Sequence, residues 1–338
     1  MQDQPTPAED KRPAPAPVAE LADAAPDAAP EAAAPGPTGL GHAGNEKVDR
    51  MGSGSINKLL LEFSIPAIVG VVVNGLYNVI DSIFVGQAVG ELGLAATTVA
   101  APIMIVFMAL SMLVGQGGNA LSAIRLGEGK LKEAERILGN SVTLLLICGV
   151  IVIMLAMFAI DPMLKISGAT PDSMAYSRTF VRIVCLGFVF QGIGMGINNF
   201  IRTAGDPNRA MTTMIIGAVV CIVFNYLFVM RFGWGVAGSA LATILGQFAS
   251  AISVMAFFLN KKAPFRFRVE NLHLDLHLAK EILTLGMASF LLQVAAAVVN
   301  LLLNNLLNKY GAQSIIGSDG ALAVMGVVAK VGDRKSVV

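Results

Sequence analysis

Beyond about residue 55 the chain alternates long apolar blocks with short polar turns. The blocks run from about 63–89, 94–121, 137–160, 180–201, 211–229, 236–259 and 282–307. Each is about long enough to cross ~30 Å of hydrocarbon as a helix. The apolar residues are continuous rather than alternating, and a helix satisfies its own backbone polar groups in lipid, so helices are favoured over a β-barrel. A further apolar run, Ala321–Val331, contains Lys330, is too short to span, and breaks into Gly332-Asp333-Arg334-Lys335. The pattern predicts an all-α, polytopic transmembrane helix bundle of seven spans and a stub that reads as a truncated eighth helix.

The first 54 residues are different material, rich in Ala, Pro and acidic residues, as in Pro13-Ala14-Pro15-Ala16-Pro17. Such a segment buries too little apolar surface to fold, so it is expected to be disordered and dispensable. Composition agrees with the pattern: 55% hydrophobic and 14% charged residues, against about half and a quarter in soluble domains. Taking alternate loops as one side, Arg125, Lys130, Lys132, Arg136, Arg202, Arg209, Lys261, Lys262, Arg266, Arg268 and Lys280 fall together. Opposite them lie Lys165, Arg178, Arg182, Arg231 and Lys309. The bias predicts a multi-pass protein of the cell (inner) membrane with its N-terminus in the cytoplasm.

A shift of 222 positions lays Lys58–Asn78 beside Lys280–Asn300, pairing Lys58 with Lys280 and Asn78 with Asn300. After a six-residue insertion, Leu94-Ala95 pairs with Leu322-Ala323. Parallel repeats of this kind build many transporters. The division expected is a tail at 1–54, a first six-helix lobe at 55–262, and at 263–338 a linker, a seventh helix and a broken eighth.

Within the seven blocks there is one acid, Asp81, and one basic residue near an end, Arg182. An ionised aspartate at the bilayer centre costs about 2.5–3.5 kcal/mol even on the lenient insertion scale, so Asp81 is a candidate proton or cation site. At ~1.5 Å per residue, Asp81, Asn225 and Thr243 all lie ~6–12 Å below the outer surface, with Cys221 one turn further in than Asn225. A carboxylate, an amide and a hydroxyl at one depth make an oxygen-rich cluster suited to a proton or a sodium ion. The remaining polar residues of the spans, including Asn74, Asn78, Gln116, Asn119, Gln191, Asn198, Gln247, Gln293, Asn300 and Asn304, are neutral. Singly each reads as interhelical glue; together they predict wet interior surfaces. Gly192, Gly194 and Gly196 read as close packing or a local bend.

Other chemistry finds no support. Cys148, Cys185 and Cys221 sit in apolar blocks without a Cys-x-x-Cys pair, and His273 and His277 lie in a basic loop. The net charge of +1 and the lack of a basic, aromatic-lined stretch argue against nucleic acid. Neither an enzyme nor a cofactor is expected; H+ or Na+ would enter only as a coupling ion.

Three runs carry a family resemblance: Glu62-Phe63-Ser64-Ile65-Pro66 with Leu76-Tyr77-Asn78-Val79-Ile80-Asp81-Ser82-Ile83-Phe84-Val85-Gly86; Asn198-Asn199-Phe200-Ile201-Arg202-Thr203-Ala204-Gly205-Asp206-Pro207; and Gly233-Trp234-Gly235-Val236-Ala237-Gly238-Ser239-Ala240-Leu241-Ala242-Thr243. From about Ile56 to Lys330 the chain resembles the multidrug and toxic compound extrusion (MATE) transporters, in their prokaryotic MepA/DinF-like branch. The resemblance implies two six-helix lobes around a V-shaped cavity and export of cationic or amphipathic drugs in exchange for H+ or Na+, by a protein that is monomeric when full length. It makes Asp81 the coupling acid, Thr243 part of its hydrogen-bond network, and Tyr77 and Asn198 cavity residues. Asn78, Gln293 and Asn300 are further cavity candidates. Asn225 stands where many relatives have a second acid and Cys221 where they have an asparagine, so Asp81 would act alone in this lobe. The alternatives are a lipid-linked saccharide flippase of the same superfamily, or a non-transporting membrane fragment or scaffold.

Overall fold

The computed structural model describes residues 56–260 and 263–332. Expectations for residues 1–54, Lys261, Lys262, the segment after Gly332, and the side chains of Asn74 and Lys330 lie outside the described residues. The described residues are mostly helical, in the order α1 (Ile56–Val89), α2 (Glu91–Gly127), α3 (Leu131–Phe158), α4 (Ile160–Ile166), α5 (Met174–Leu186), α6 (Phe188–Thr203), α7 (Pro207–Arg231), α8 (Gly235–Leu259), α9 (Leu276–Gly311) and α10 (Gly317–Gly332), with a 3-10 turn at Val269–Leu272 in the connection before α9. Six of these, α1, α2, α3, α7, α8 and α9, are long and apolar enough to cross a membrane, and α5 with α6 makes a seventh, broken crossing.

The fourth apolar block is where the continuous pattern is least faithful. At Gly187 the axis turns by 59° between α5 and α6. The next stretch, Gly192–Ile197, is wound as a π-helix. Glycines here let neighbouring elements approach closely. A Cβ on Gly115 of α2 would run into the backbone of Gly196, and one on Gly192 would meet Leu145 at 2.9 Å. Close approach through small residues is the usual means of joining helices in lipid, where the hydrophobic effect no longer drives association.

The same device fastens α9 across α2. A Cβ on Gly117 would strike the carbonyl oxygen of Ile282, and one on Gly286 that of Leu113. Side-chain amides add to it: Asn304 Nδ2 donates to Thr98 O at 3.0 Å, and Asn308 Nδ2 to Gly168 O at 3.0 Å. Gly168 has φ 89°, a left-handed conformation that a side chain disfavours, and this turns the chain between α4 and α5 under α9. Asp319 of α10 accepts from Thr170 Oγ1 at 2.7 Å at this same end.

Two apolar cores result. One, at the end carrying Lys130 and Arg268, gathers Leu138, Phe200, Phe258, Phe265 and Ile282. The other, at the opposite end, gathers Val99, Phe107, Leu164, Phe188 and Leu322. Short helix α4 lies beside the second core, tied to α5 by a bidentate pair in which Arg178 Nε and Nη2 donate to Asp161 Oδ1 and Oδ2 at 2.7 and 2.8 Å. At the basic end Arg125 meets Glu133 at 3.1 Å and Glu281 at 3.7 Å, linking α2, α3 and α9. Lys130 and Arg125 hold the Glu128 carboxyl below its usual value by direct hydrogen bonds.

Candidate functional site

Asp81 lies in the last third of α1, where α7 and α8 pack against it. Its Oδ1 accepts two short hydrogen bonds, from Asn225 Nδ2 and from Ser239 Oγ, each at 2.6 Å. Asn225 and Ser239 are fully buried, at 1% and 0% exposure, while Asp81 is half-buried. Both donors reach Oδ1, so Oδ2 has no hydrogen bond among the described residues. The Asn225 Oδ1, also buried, has no partner among them either. A carboxylate oxygen and an amide oxygen left open on two hydrogen-bonded side chains suit a proton or a small hard cation.

Behind this cluster α7 and α8 come close because of small residues. A Cβ on Gly246 would meet Cys221 Cβ and Gly217 O at 2.7 Å. The buried Cys221 receives Asn225 Nδ2 at 3.9 Å and is hydrogen-bonded to Thr243. Aromatic rings close the outer flank: Phe228 stacks on Trp234 with centroids 5.0 Å apart, and Phe84 meets Tyr226 edge-on at 6.4 Å. A half-exposed Trp beside a helix end is what the lipid–water boundary favours.

From the Cys221–Thr243 layer a cavity of about 330 Å³ runs toward the basic end between α1, α2, α6, α7 and α8. Its wall includes Tyr77, Gln116, Gln191, Asn198, Gln247 and the thioethers of Met112, Met195 and Met214. Asn198 is buried and accepts from Thr213 Oγ1 at 2.8 Å. The buried Oε1 of Gln247 has no partner among the described residues. At the far end the Arg202 guanidinium enters, with Nη2 3.8 Å from Met214 Sδ. Volume, adaptable methionines and scattered amides are those of a small-molecule pocket.

The residues singled out in the sequence fall into three groups. Asp81 and Asn225 touch. Thr243 sits one turn inward, on Cys221, and the hydroxyl that reaches Asp81 is that of Ser239, which the sequence pattern does not single out. The missed signal is positional: α7 and α8 are antiparallel neighbours, so a residue near the end of one faces a residue equally near the start of the other. Tyr77 and Asn198 line the cavity. Asn78 is hydrogen-bonded to Tyr77 rather than lining the wall. Gln293 and Asn300, on α9, are half-buried away from this cavity, and Asn300 Nδ2 bonds back to Ala296 O at 2.9 Å. The expectation that Arg202 belongs to a loop is corrected: α6 continues to Thr203, which carries Arg202 into the cavity.

Among the described residues, a bundle of helices long and apolar enough to cross a membrane holds a half-buried acid near one end of a polar cavity, which defines a multi-pass membrane protein with a small-molecule pocket. The comparisons place it more closely: residues 66–227 match the MatE family model. It is 25% identical over 257 residues to the multidrug export protein MepA of Staphylococcus saprophyticus, covering 76% of this chain and 57% of that protein. Among solved structures it matches the MATE multidrug transporter DinF-BH, with TM-score 0.80 and 33% identity over 86% of this chain and 64% of that one. It also matches an inward-facing multidrug resistance MATE transporter, with TM-score 0.70 and 25% identity over 79% of this chain and 61% of that one. The chain thus spans about three-fifths of the length of these relatives.

Proposed function

We propose that this chain supplies the first lobe and the opening helices of the second in a cation-coupled multidrug efflux antiporter of the cell membrane, with its N-terminus and basic end in the cytoplasm. The observation that carries the reading is the Asp81–Asn225–Ser239 contact, an acid held at membrane depth and joined through Cys221 and Thr243 to a cavity of drug-binding size. The likeness to MepA and DinF-BH supports drugs as the cargo class. Asp81 exchanges a proton or a sodium ion for cargo. Charge on Asp81 draws a cationic or amphipathic drug toward Tyr77 and Asn198; a cation arriving at Oδ2 cancels that charge and releases the drug outward. Gln293 and Asn300 would line the surface that α9 turns toward a complete second lobe, and the two-lobed protein works as a monomer.

A lipid-linked saccharide flippase would need several cations facing a pyrophosphate, whereas Arg202 is the one cationic side chain among the described residues of this cavity's wall. The test is ethidium uptake by everted vesicles carrying this chain continued through a full second lobe. Uptake driven by an imposed proton or sodium gradient is expected, and Asp81→Asn should remove it while leaving the protein inserted. Gradient-independent leakage, or no movement at all, would favour the flippase or the non-transporting scaffold.

A further inference from the structure

Arg202 introduces a charge that export of simple cations does not need. Its side chain is half-buried at the basic end of the cavity, where its side-chain hydrogen bond among the described residues is to the thioether of Met214. No carboxylate among the described residues pairs with it, in contrast to Arg125, Arg178, Arg209 and Arg268, which all have acid partners within 4 Å. The neighbouring wall, Gly70, Met214, Asn198 and Asn199, brings no negative group. A guanidinium stays charged at any physiological pH, and a partly desolvated one gains most from an anion that fits its planar fork. Asp81 stands eleven residues further along α1 than Gly70, which lies beside Arg202, so the two opposite charges are separated by about 16 Å of helix.

We propose that Arg202 is a subsite for a carboxylate, so that the cavity takes amphipathic cargo carrying one anionic group at the basic end and an apolar or cationic body lying toward Asp81. A single guanidinium neutralises one negative charge, which selects a monoanion over a diphosphate. The methionines and amides between the poles accept varied bodies, while Arg202 fixes which end enters first. The subsite deepens the cargo reading above and rests on it.

A matched pair of dyes tests it on the purified 338-residue protein in detergent: rhodamine 19, which has a free carboxylate, and its ethyl ester, rhodamine 6G. Fluorescence polarisation should show the acid binding about tenfold or more tighter than the ester. Arg202→Gln should abolish that preference, with Arg202→Lys retaining part of it. Equal affinities for the two dyes in the wild type would overturn the subsite and leave the cavity reading standing. Binding of neither dye would overturn the cavity reading and the subsite with it. Displacement of rhodamine 19 by phosphatidylglycerol but not by phosphatidylcholine would contradict a cargo carboxylate and assign Arg202 to a lipid phosphodiester.

Discussion

Among single residues, the hydroxyl that serves Asp81 decides how its carboxylate is held. Ser239 Oγ is 2.6 Å from the carboxylate and fully buried, whereas Thr243 is bound to Cys221. Hydrogen bonds to charged groups contribute about 1.5–3 kcal/mol, so Ser239→Ala should lower thermal stability in detergent by an amount in that range and Thr243→Ala by less. Equal losses would mean that the two hydroxyls share the carboxylate. Asp81 is legible in the sequence because an acid in hydrocarbon is expensive, and Asn225 because depth follows from helix rise. Ser239 is not, since a buried serine in a small-residue run looks the same whether it packs or donates. Arg202 escapes for a different reason: the apolar block stops at Ile201, and a one-residue boundary error moves a charge from the cavity wall to a loop.

Among the elements, the apolar blocks give the long helices but not their bends. A continuous hydrophobic run from 180 to 201 says nothing about a 59° break, because both halves remain apolar and the turn is made by Gly187. Helix α4 is likewise missed: all but its first residue falls in the polar stretch between the blocks at 137–160 and 180–201, and it is only seven residues long. Helix joining, by contrast, is set by glycines whose roles become visible only once partners are known. Gly286→Val should disrupt the α2–α9 crossing, because the obstruction is the Leu113 carbonyl and backbone cannot step aside. Overpacking of this kind destabilises by about 1–3 kcal/mol, and a lowered Tm with increased hydrogen exchange in α9 would register it. Gly127→Ala is the control: nothing lies within 4 Å of its Cβ, so stability should hold or rise by about 0.5–1 kcal/mol. A tolerated Gly286→Val would show that the two backbones are not in contact.

For the molecule as a whole, on the two-lobe reading proposed above, α9 and α10 correspond to α1 and α2. A shift of 222 positions carries Val89, the last residue of α1, onto Gly311, the last of α9. Yet the correspondence is chemically unequal, since Leu303 stands where the shift would place Asp81. The partner helices are tied on by amides, with Asn304 on Thr98 O and Asn308 on Gly168 O. Replacing both asparagines by alanine should cost about 0.6 kcal/mol per bond and raise hydrogen exchange around Thr98 and Gly168, while the Asp81 cluster stays intact. Exchange unchanged at both sites would show that the glycine crossing alone holds α9.

In the proposed antiporter, a cation and a cationic drug that compete for the Asp81 carboxylate must each weaken the other's binding by the same factor. The most direct measurement is the affinity of the purified protein for rhodamine 6G as a function of proton and sodium concentration, wild type against Asp81→Asn. One of the two ions is expected to weaken dye binding to the wild type, and Asp81→Asn to bind the dye weakly and independently of both. An undiminished ion dependence in Asp81→Asn would contradict this assignment and move the coupling site away from Asp81.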